Sequence, residues 1–333
     1  MRLSQFIPLF SLLSVCAFAA TFQNPVKSVL GSDPFMASIY GSAKVYANGY
    51  YYLTTTTWSN IQITRATSMS GLKTATPKTV WSDSSPDRCC NVWAPEIHWV
   101  SGGWHIYYTA GRSGTLTEQR THVLKASSGD IWASTWSYAG RIVIPNRDVW
   151  AIDATVLNMG SANYLVYSGQ DGYEQCLYIA KMNSATSVGN SVLISRPTNA
   201  WERVGAPVNE GPAPLQHGGR TWIVYSASYC DANGYSLGRL ELTGSDPLSP
   251  TSWTKYNAGP IFSTANGEYG PGHNGFFTAP SGNIYNVYHA SPTSTVKCDG
   301  SRRTFVQSVG WNSDGTPNLG QPRPIGENIP EPA

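Results

Sequence analysis

The chain has 333 residues, a net charge of +2 and only 13% charged side chains, about half of the ~25% that is usual for soluble domains. It has no cluster of lysines and arginines that could neutralise a phosphate backbone, so the sequence argues against a nucleic-acid partner. Its 12 Trp, 19 Tyr and 32 Gly are instead typical of an all-β extracellular protein that handles neutral, ring-shaped ligands.

Residues 1–20 have the pattern of a secretory signal peptide. One early arginine is followed by an apolar run at 10–18 and by small residues that allow cleavage after Ala19 or Ala20. No later run approaches the ~20 apolar residues that a membrane-spanning helix needs. The sequence therefore predicts a secreted protein without a membrane anchor, whose single domain comprises 21–333.

Five short aromatic strands, each preceded by a turn rich in Gly, Asn or Ser, form a repeat along the chain. Each strand combines Tyr or Trp with β-branched residues, as buried strands do, and each turn favours a tight hairpin. No amphipathic helix of ordinary length competes with this pattern. The predicted strands are 49–54, 103–109, 163–168, 221–226 and 283–289.

The stretch before each aromatic strand carries the residues of greatest interest. These positions are Asp33, Trp93, Asp153, Glu210 and His273, which recur about every sixty residues, the period of a five-bladed β-propeller with long loops. In a propeller the innermost strand of each blade runs along the central axis. Residues far apart in sequence are therefore expected to meet at one funnel.

Three carboxylates among these positions have apolar neighbours, unlike most other acidic residues, which lie in polar turns. Asp33, Asp153 and Glu210 belong to different repeats but would face one another. Burial and mutual repulsion raise the pKa of at least one while another stays ionised, which creates an acid and a base. Glycoside hydrolysis uses such a pair without a redox cofactor.

The order of five motifs resembles glycoside hydrolase family 43, a family of five-bladed propellers that includes arabinofuranosidases, arabinanases and β-xylosidases. By this resemblance Asp33 is the general base that activates water, Glu210 is the general acid, and Asp153 is an ionised carboxylate that orients the acid and raises its pKa. The motifs are Asp33-Pro34-Phe35, Trp93-Ala94-Pro95-Glu96, Asp153, Asn209-Glu210-Gly211-Pro212 and Gly270-Pro271-Gly272-His273-Asn274.

Further site residues are predicted with their alternatives. The resemblance places His273 at the axial pore as a ligand of Ca²⁺ or another cation, although an isolated histidine is more often structural and cannot alone fill a calcium shell. Trp93 is either a platform for a sugar ring or a core aromatic residue. Arg302 and Arg303 point to opposite faces of a strand, so at most one is expected to bind substrate.

The choice of sugar follows from a finer resemblance to the arabinofuranosidase branch, carried by 48–58 and 70–74. We expect a monomeric, inverting α-L-arabinofuranosidase that acts on arabinan or arabinoxylan and needs no cofactor for its chemistry. An endo-arabinanase and a β-xylosidase are the alternatives within the family. A non-catalytic sugar-binding propeller is the alternative from another class, although it would not need three converging carboxylates.

Five cysteines remain after the signal peptide, so at least one thiol is free or paired in an unusual way. Cys89 and Cys90 directly precede the stretch that contains Trp93. They form either a vicinal disulfide or two buried free thiols. The pairing of Cys176, Cys230 and Cys298 is left open.

Overall fold

A computed structural model describes residues 20–37 and 49–332 of the chain. The predicted signal peptide lies outside the described residues except for Ala20, as does most of the turn predicted before the first aromatic strand. No helix among the described residues has the length and apolar character to cross a membrane.

The described residues form almost entirely β structure, in which each predicted aromatic strand is the second strand of a sheet. The first and last strands, β1 (Thr21–Phe22) and β23 (Ile329–Pro330), pair with each other. The first blade comprises β2 (Phe35–Ala37), β3 (Tyr51–Thr54), β4 (Ile61–Ala66) and β5 (Lys78–Trp81).

The second, third and fourth blades repeat this four-stranded, antiparallel order. The second contains β6 (Cys90–Val100), β7 (Gly103–Gly111), β8 (Arg120–Ala126) and β9 (Trp136–Arg141). The third contains β10 (Ala151–Asn158), β11 (Asn163–Asp171), β12 (Glu174–Ser184) and β13 (Ser187–Ser195). The fourth contains β14 (Asn209–His217), β15 (Arg220–Ala227), β16 (Ser236–Leu242) and β17 (Trp253–Lys255).

The fifth blade has three strands, and short elements complete the chain. The blade contains β18 (Tyr269–Thr278), β19 (Ile284–Ser291) and β20 (Arg303–Ser308). A separate hairpin pairs β21 (Gly310–Trp311) with β22 (Pro317–Asn318). The helical elements are α1 (Met69–Leu72) and the 3₁₀ turns Ala200–Glu202 and Pro250–Ser252.

The five first strands close into a ring, because β2, β6, β10, β14 and β18 contact one another in cyclic order. Hydrophobic clusters of described residues lie between each pair of neighbouring blades and replace a single central core. In the cluster between the first two blades, for example, Tyr52 packs with Trp104. The predicted all-β, five-bladed propeller is therefore confirmed, and its first strands surround a common axis.

The structure also resolves the cysteine alternatives. Cys89 and Cys90 form a vicinal disulfide at the start of β6. Cys230 and Cys298 form a second disulfide between the loop after β15 and the loop before β20. Cys176 is a buried free thiol.

Candidate functional site

Local backbone irregularities direct the predicted residues toward the axis. Five non-glycine residues adopt left-handed backbone near the start of the innermost strands, with φ of 52° at Asp33, 52° at Asn91, 44° at Ala94, 57° at Asp153 and 39° at His273. The register of β6, β10, β14 and β18 shifts at or beside these positions. Left-handed backbone is unfavourable for side chains other than glycine, and structures retain such strain chiefly at functional sites.

The imidazole of His273 is the point where residues from four blades meet. Its Nδ1 lies 3.2 Å from Asp33 Oδ1 and 3.9 Å from Asp153 Oδ2. The backbone N–H of Gly211 donates to Asp153 Oδ2 over 3.1 Å. Gly211 has φ of 51°, and a Cβ there would lie 3.0 Å from His273 Cγ, so a larger residue would be strained. The predicted convergence of Asp33, Asp153, His273 and the Glu210–Gly211 turn is therefore present.

Asp33 is surrounded by groups that favour its ionised form. Thr56 Oγ1 donates to Asp33 Oδ2 over 2.6 Å, and Arg302 Nη1 lies 3.6 Å from Asp33 Oδ1. The backbone N–H of Asp33 donates to His289 Nδ1 over 3.0 Å. Burial by itself raises the pKa of Asp33, but His273, His289 and Arg302 together bring it well below its ordinary value. Asp33 is therefore an anion at neutral pH.

Glu210 is held at both of its carboxyl oxygens. The Tyr235 hydroxyl donates to Oε1 and Gln175 Nε2 donates to Oε2, each over 2.8 Å. Burial raises the pKa of Glu210, the contacts with Tyr235, His273 and Gln175 offset part of this rise, and the charge of Asp33 adds to it. The fixed carboxyl therefore keeps its proton to higher pH than an ordinary glutamic acid, as a general acid must.

Asp153 titrates together with Glu210. Burial raises the pKa of Asp153, the neighbouring His273 opposes this rise, and the charges of Glu210 and Asp33 add to it. Two interacting carboxyls lose their protons in steps that belong to the pair. The pair therefore retains a proton near neutral pH, and the predicted ionised state of Asp153 stays a prediction.

The two arginines occupy different environments. Arg302 is 5% exposed and reaches Asp33, while its Nε donates to the backbone carbonyl of Lys297 over 2.7 Å. Arg303 is half-buried, and its Nε has no hydrogen-bond partner among the residues that the structure describes. The structure therefore places Arg302 in the site and gives Arg303 no contact there.

Trp93 lies half-buried in β6, directly before Ala94, whose backbone N–H donates to Thr56 Oγ1 over 2.8 Å. This connects Trp93 to the Thr56–Asp33 contact through the backbone. Its predicted role as a sugar platform stays a prediction.

Four partners of the carboxylates escaped the sequence analysis. Thr56 belongs to a run of threonines and His289 ends a predicted aromatic strand, so both had a weak positional signal. Gln175 stands in β12 and Tyr235 in the loop after β15, away from every motif. Only their position in the folded chain identifies them.

The surroundings of His273 bear on the predicted cation. No group of three or more His, Cys, Asp or Glu among the described residues could hold a metal ion. Burial lowers the pKa of His273, but Asp33, Asp153 and Glu210 raise it above its ordinary value. With no such group of ligands among the described residues, we derive no step through a cation, and the cation at His273 stays a prediction.

Comparisons with known proteins agree on one family. The family model described as "Glycosyl hydrolases family 43" matches residues 22–317. An extracellular exo-α-(1→5)-L-arabinofuranosidase of Streptomyces avermitilis is 38% identical over 319 residues, covering 91% of this chain and 64% of that protein. The α-L-arabinofuranosidase 43 of Humicola insolens is 34% identical, covering 93% of this chain and 66% of that protein. The chain thus spans just under two thirds of the length of these relatives.

A solved structure of similar size was also found. The crystal structure of an α-L-arabinofuranosidase from Lactobacillus brevis superposes with a TM-score of 0.83 at 32% identity, covering 92% of this chain and 98% of that chain. The fold and the arrangement of blades are thus shared along nearly the whole length of both chains.

Proposed function

Since the chain belongs to glycoside hydrolase family 43, we propose that it is an inverting, exo-acting α-L-arabinofuranosidase. The observation that carries the proposal is the meeting of Asp33, Asp153 and Glu210 around His273, with the pKa of Asp33 lowered and that of Glu210 raised. The names of the relatives from Streptomyces and Humicola support the choice of arabinose.

The proposed reaction is a single displacement at the anomeric carbon. Asp33 takes a proton from water while the water oxygen attacks the anomeric carbon, and Glu210 gives its proton to the leaving glycosidic oxygen. Inverting enzymes need a separation of about 6.5–9.5 Å between the two carboxyls so that a water molecule fits. When Asp153 is ionised, its charge raises the pKa of Glu210 and so helps to keep the acid protonated. Proton exchange with solvent restores both groups.

We further propose that the protein is secreted and acts as a monomer on arabinan or on arabinose side chains of arabinoxylan. Support for secretion comes from the signal-peptide pattern of 1–20 and from relatives that are named extracellular. On this proposal 1–20 is removed and 21–333 is the mature catalytic domain.

The test is incubation with linear arabinan, branched arabinan, arabinoxylan and an aryl α-L-arabinofuranoside, with product sizes followed over time. Arabinose alone at early times supports exo action, whereas oligosaccharides at early times would favour the endo-arabinanase alternative.

Glu210→Gln is expected to lower the rate on arabinan at least about 10²-fold, because a general acid contributes a factor of about 10²–10⁴ to the rate. Glu268→Gln, a buried glutamate outside the site, serves as the matched control. An unchanged rate for Glu210→Gln would refute the mechanism, and binding without turnover by the wild type would favour a sugar-binding propeller.

A further inference from the structure

The two groups that hold Glu210 lie in chain segments that each expose a tyrosine. Gln175 follows closely after Tyr173, which occupies the β11–β12 turn and is 76% exposed. Tyr235 belongs to the loop after β15, which also carries Tyr229, 46% exposed. Nothing in a two-residue turn requires a large aromatic side chain, and exposed apolar surface that is contiguous often marks a binding site.

The segment Arg203–Val204 is hydrogen-bonded to the chain segments of both tyrosines. Arg203 Nη1 donates to Glu174 Oε1 over 2.8 Å, beside Tyr173, and the backbone N–H of Tyr229 donates to the carbonyl of Val204 over 3.0 Å. Val204 is itself 43% exposed. We call Tyr173, Arg203, Val204 and Tyr229 the tyrosine ridge.

The tyrosine ridge is fixed to the site by its own hydrogen bonds. The backbone N–H of Gln175 donates to the carbonyl of Pro207 over 3.1 Å, and that of Val204 donates to Ser228 Oγ over 3.0 Å. A Cβ on Gly234 would lie 2.8 Å from Val204 Cγ2, which shows how tightly the Tyr235 loop packs against the ridge. A surface held in this way loses little conformational entropy when a ligand binds.

We propose that the tyrosine ridge binds the leaving-group part of an α-1,5-linked arabinan chain, an inference that rests on the proposed function. The general acid protonates the oxygen of the leaving group, so the leaving group must lie next to Glu210, and the segments that carry the ridge are hydrogen-bonded to Glu210 through Gln175 and Tyr235. The exposed tyrosine rings offer apolar faces to furanose rings, and Arg203 offers N–H donors to sugar hydroxyls. The ridge thereby favours longer chains over arabinobiose.

The test compares kcat/KM on α-1,5-arabinopentaose and arabinobiose for the wild type, Tyr173→Ala and Tyr229→Ala. Loss of one stacking face is expected to lower the pentaose-to-biose ratio about 3- to 10-fold, chiefly through a higher KM on the pentaose. Tyr173→Phe keeps the face and should keep the ratio. The control is Tyr256→Ala, which removes a tyrosine of 39% exposure that contacts Arg239 away from the loops of Glu210.

An unchanged pentaose-to-biose ratio in both alanine variants would overturn the proposed role of the tyrosine ridge. An equal loss of kcat/KM on both oligosaccharides would do the same. These outcomes leave the proposed function intact, because the wild type would still release arabinose. Failure of the wild type on arabinobiose and on an aryl arabinofuranoside would instead remove the proposed function itself. The two failures are thus distinguishable in one set of assays.

Discussion

Replacing Tyr235 with phenylalanine tests how the acid is tuned. The Tyr235 hydroxyl donates to Glu210 Oε1 over 2.8 Å, and its ring stacks on His289 with centroids 5.7 Å apart. Phenylalanine keeps the stacked ring and removes only the donor. The hydrogen bond stabilises the carboxylate and lowers the pKa of Glu210, so its loss raises that pKa further.

The magnitude follows from the strength of such a bond. A hydrogen bond to a charged group contributes about 1.5–3 kcal/mol, and one pKa unit corresponds to about 1.36 kcal/mol. Glu210 must be protonated to act, so activity is lost as pH rises through its pKa. Tyr235→Phe should therefore move the alkaline limb of the pH profile upward by about one to two units. The looser carboxyl should also lower kcat at the optimum about tenfold.

The measurement is kcat/KM on arabinobiose from about pH 4 to about pH 10, which reports the pKa values of the free enzyme. The matched control is Tyr288→Phe, because the Tyr288 hydroxyl is hydrogen-bonded over the same 2.8 Å to a buried carboxyl group, Glu268 Oε2, outside the site. That variant should lose stability but keep the profile. An alkaline limb that stays in place or moves downward in Tyr235→Phe would refute the assignment of the bond and of Glu210 as the acid.

Three further predictions concern groups around the site and in the blades. Arg302→Lys should lower kcat about tenfold, because lysine lacks the planar guanidinium group of arginine, whereas Arg303→Lys should change kcat less than about twofold. Equal effects of the two substitutions on kcat would contradict the placement of Arg302 in the site. Replacing Cys230 and Cys298 together with serine should lower the free energy of unfolding by about 4 kcal/mol, as the chain-entropy model gives for a sequence separation of 68, and an unchanged Tm would argue against this. Burial raises the pKa of Glu268 to about 8, so this group should make folding stability fall as pH rises from about 4.5 to about 8. Asp153 and Glu210 act in the same direction, so Glu268→Gln should reduce that fall and be about 2–4 kcal/mol more stable than the wild type at about pH 9 in urea titrations; a variant with the full pH dependence of the wild type would exclude Glu268 as a source.

The repeat and the five axial positions could be predicted from the sequence because both depend on local patterns. Aromatic and β-branched residues followed by tight turns specify strands wherever they occur, and their period sets the number of blades. Asp33, Asp153 and Glu210 stood out because their neighbours are apolar. The resemblance of the motifs to a known family then supplied the roles.

The partners that tune the carboxylates were decided only by the tertiary structure. Thr56 reaches Asp33 within the first blade, and Gln175 reaches Glu210 from the neighbouring third blade. Such contacts leave no periodic trace in the sequence. The alternation of a strand showed that Arg302 and Arg303 face opposite ways, but not which face meets the site.

The protonation states of the carboxyl groups were likewise decided by the tertiary structure. The sequence by itself determined which acids are present and that they converge, because their apolar neighbours and their regular spacing are both features of the sequence. Whether each acid is charged depends on the sum of burial, hydrogen bonds and neighbouring charges at distances of a few ångströms. Since those distances exist only once the five blades close on His273, the division of Asp33 and Glu210 into base and acid belongs to the folded molecule.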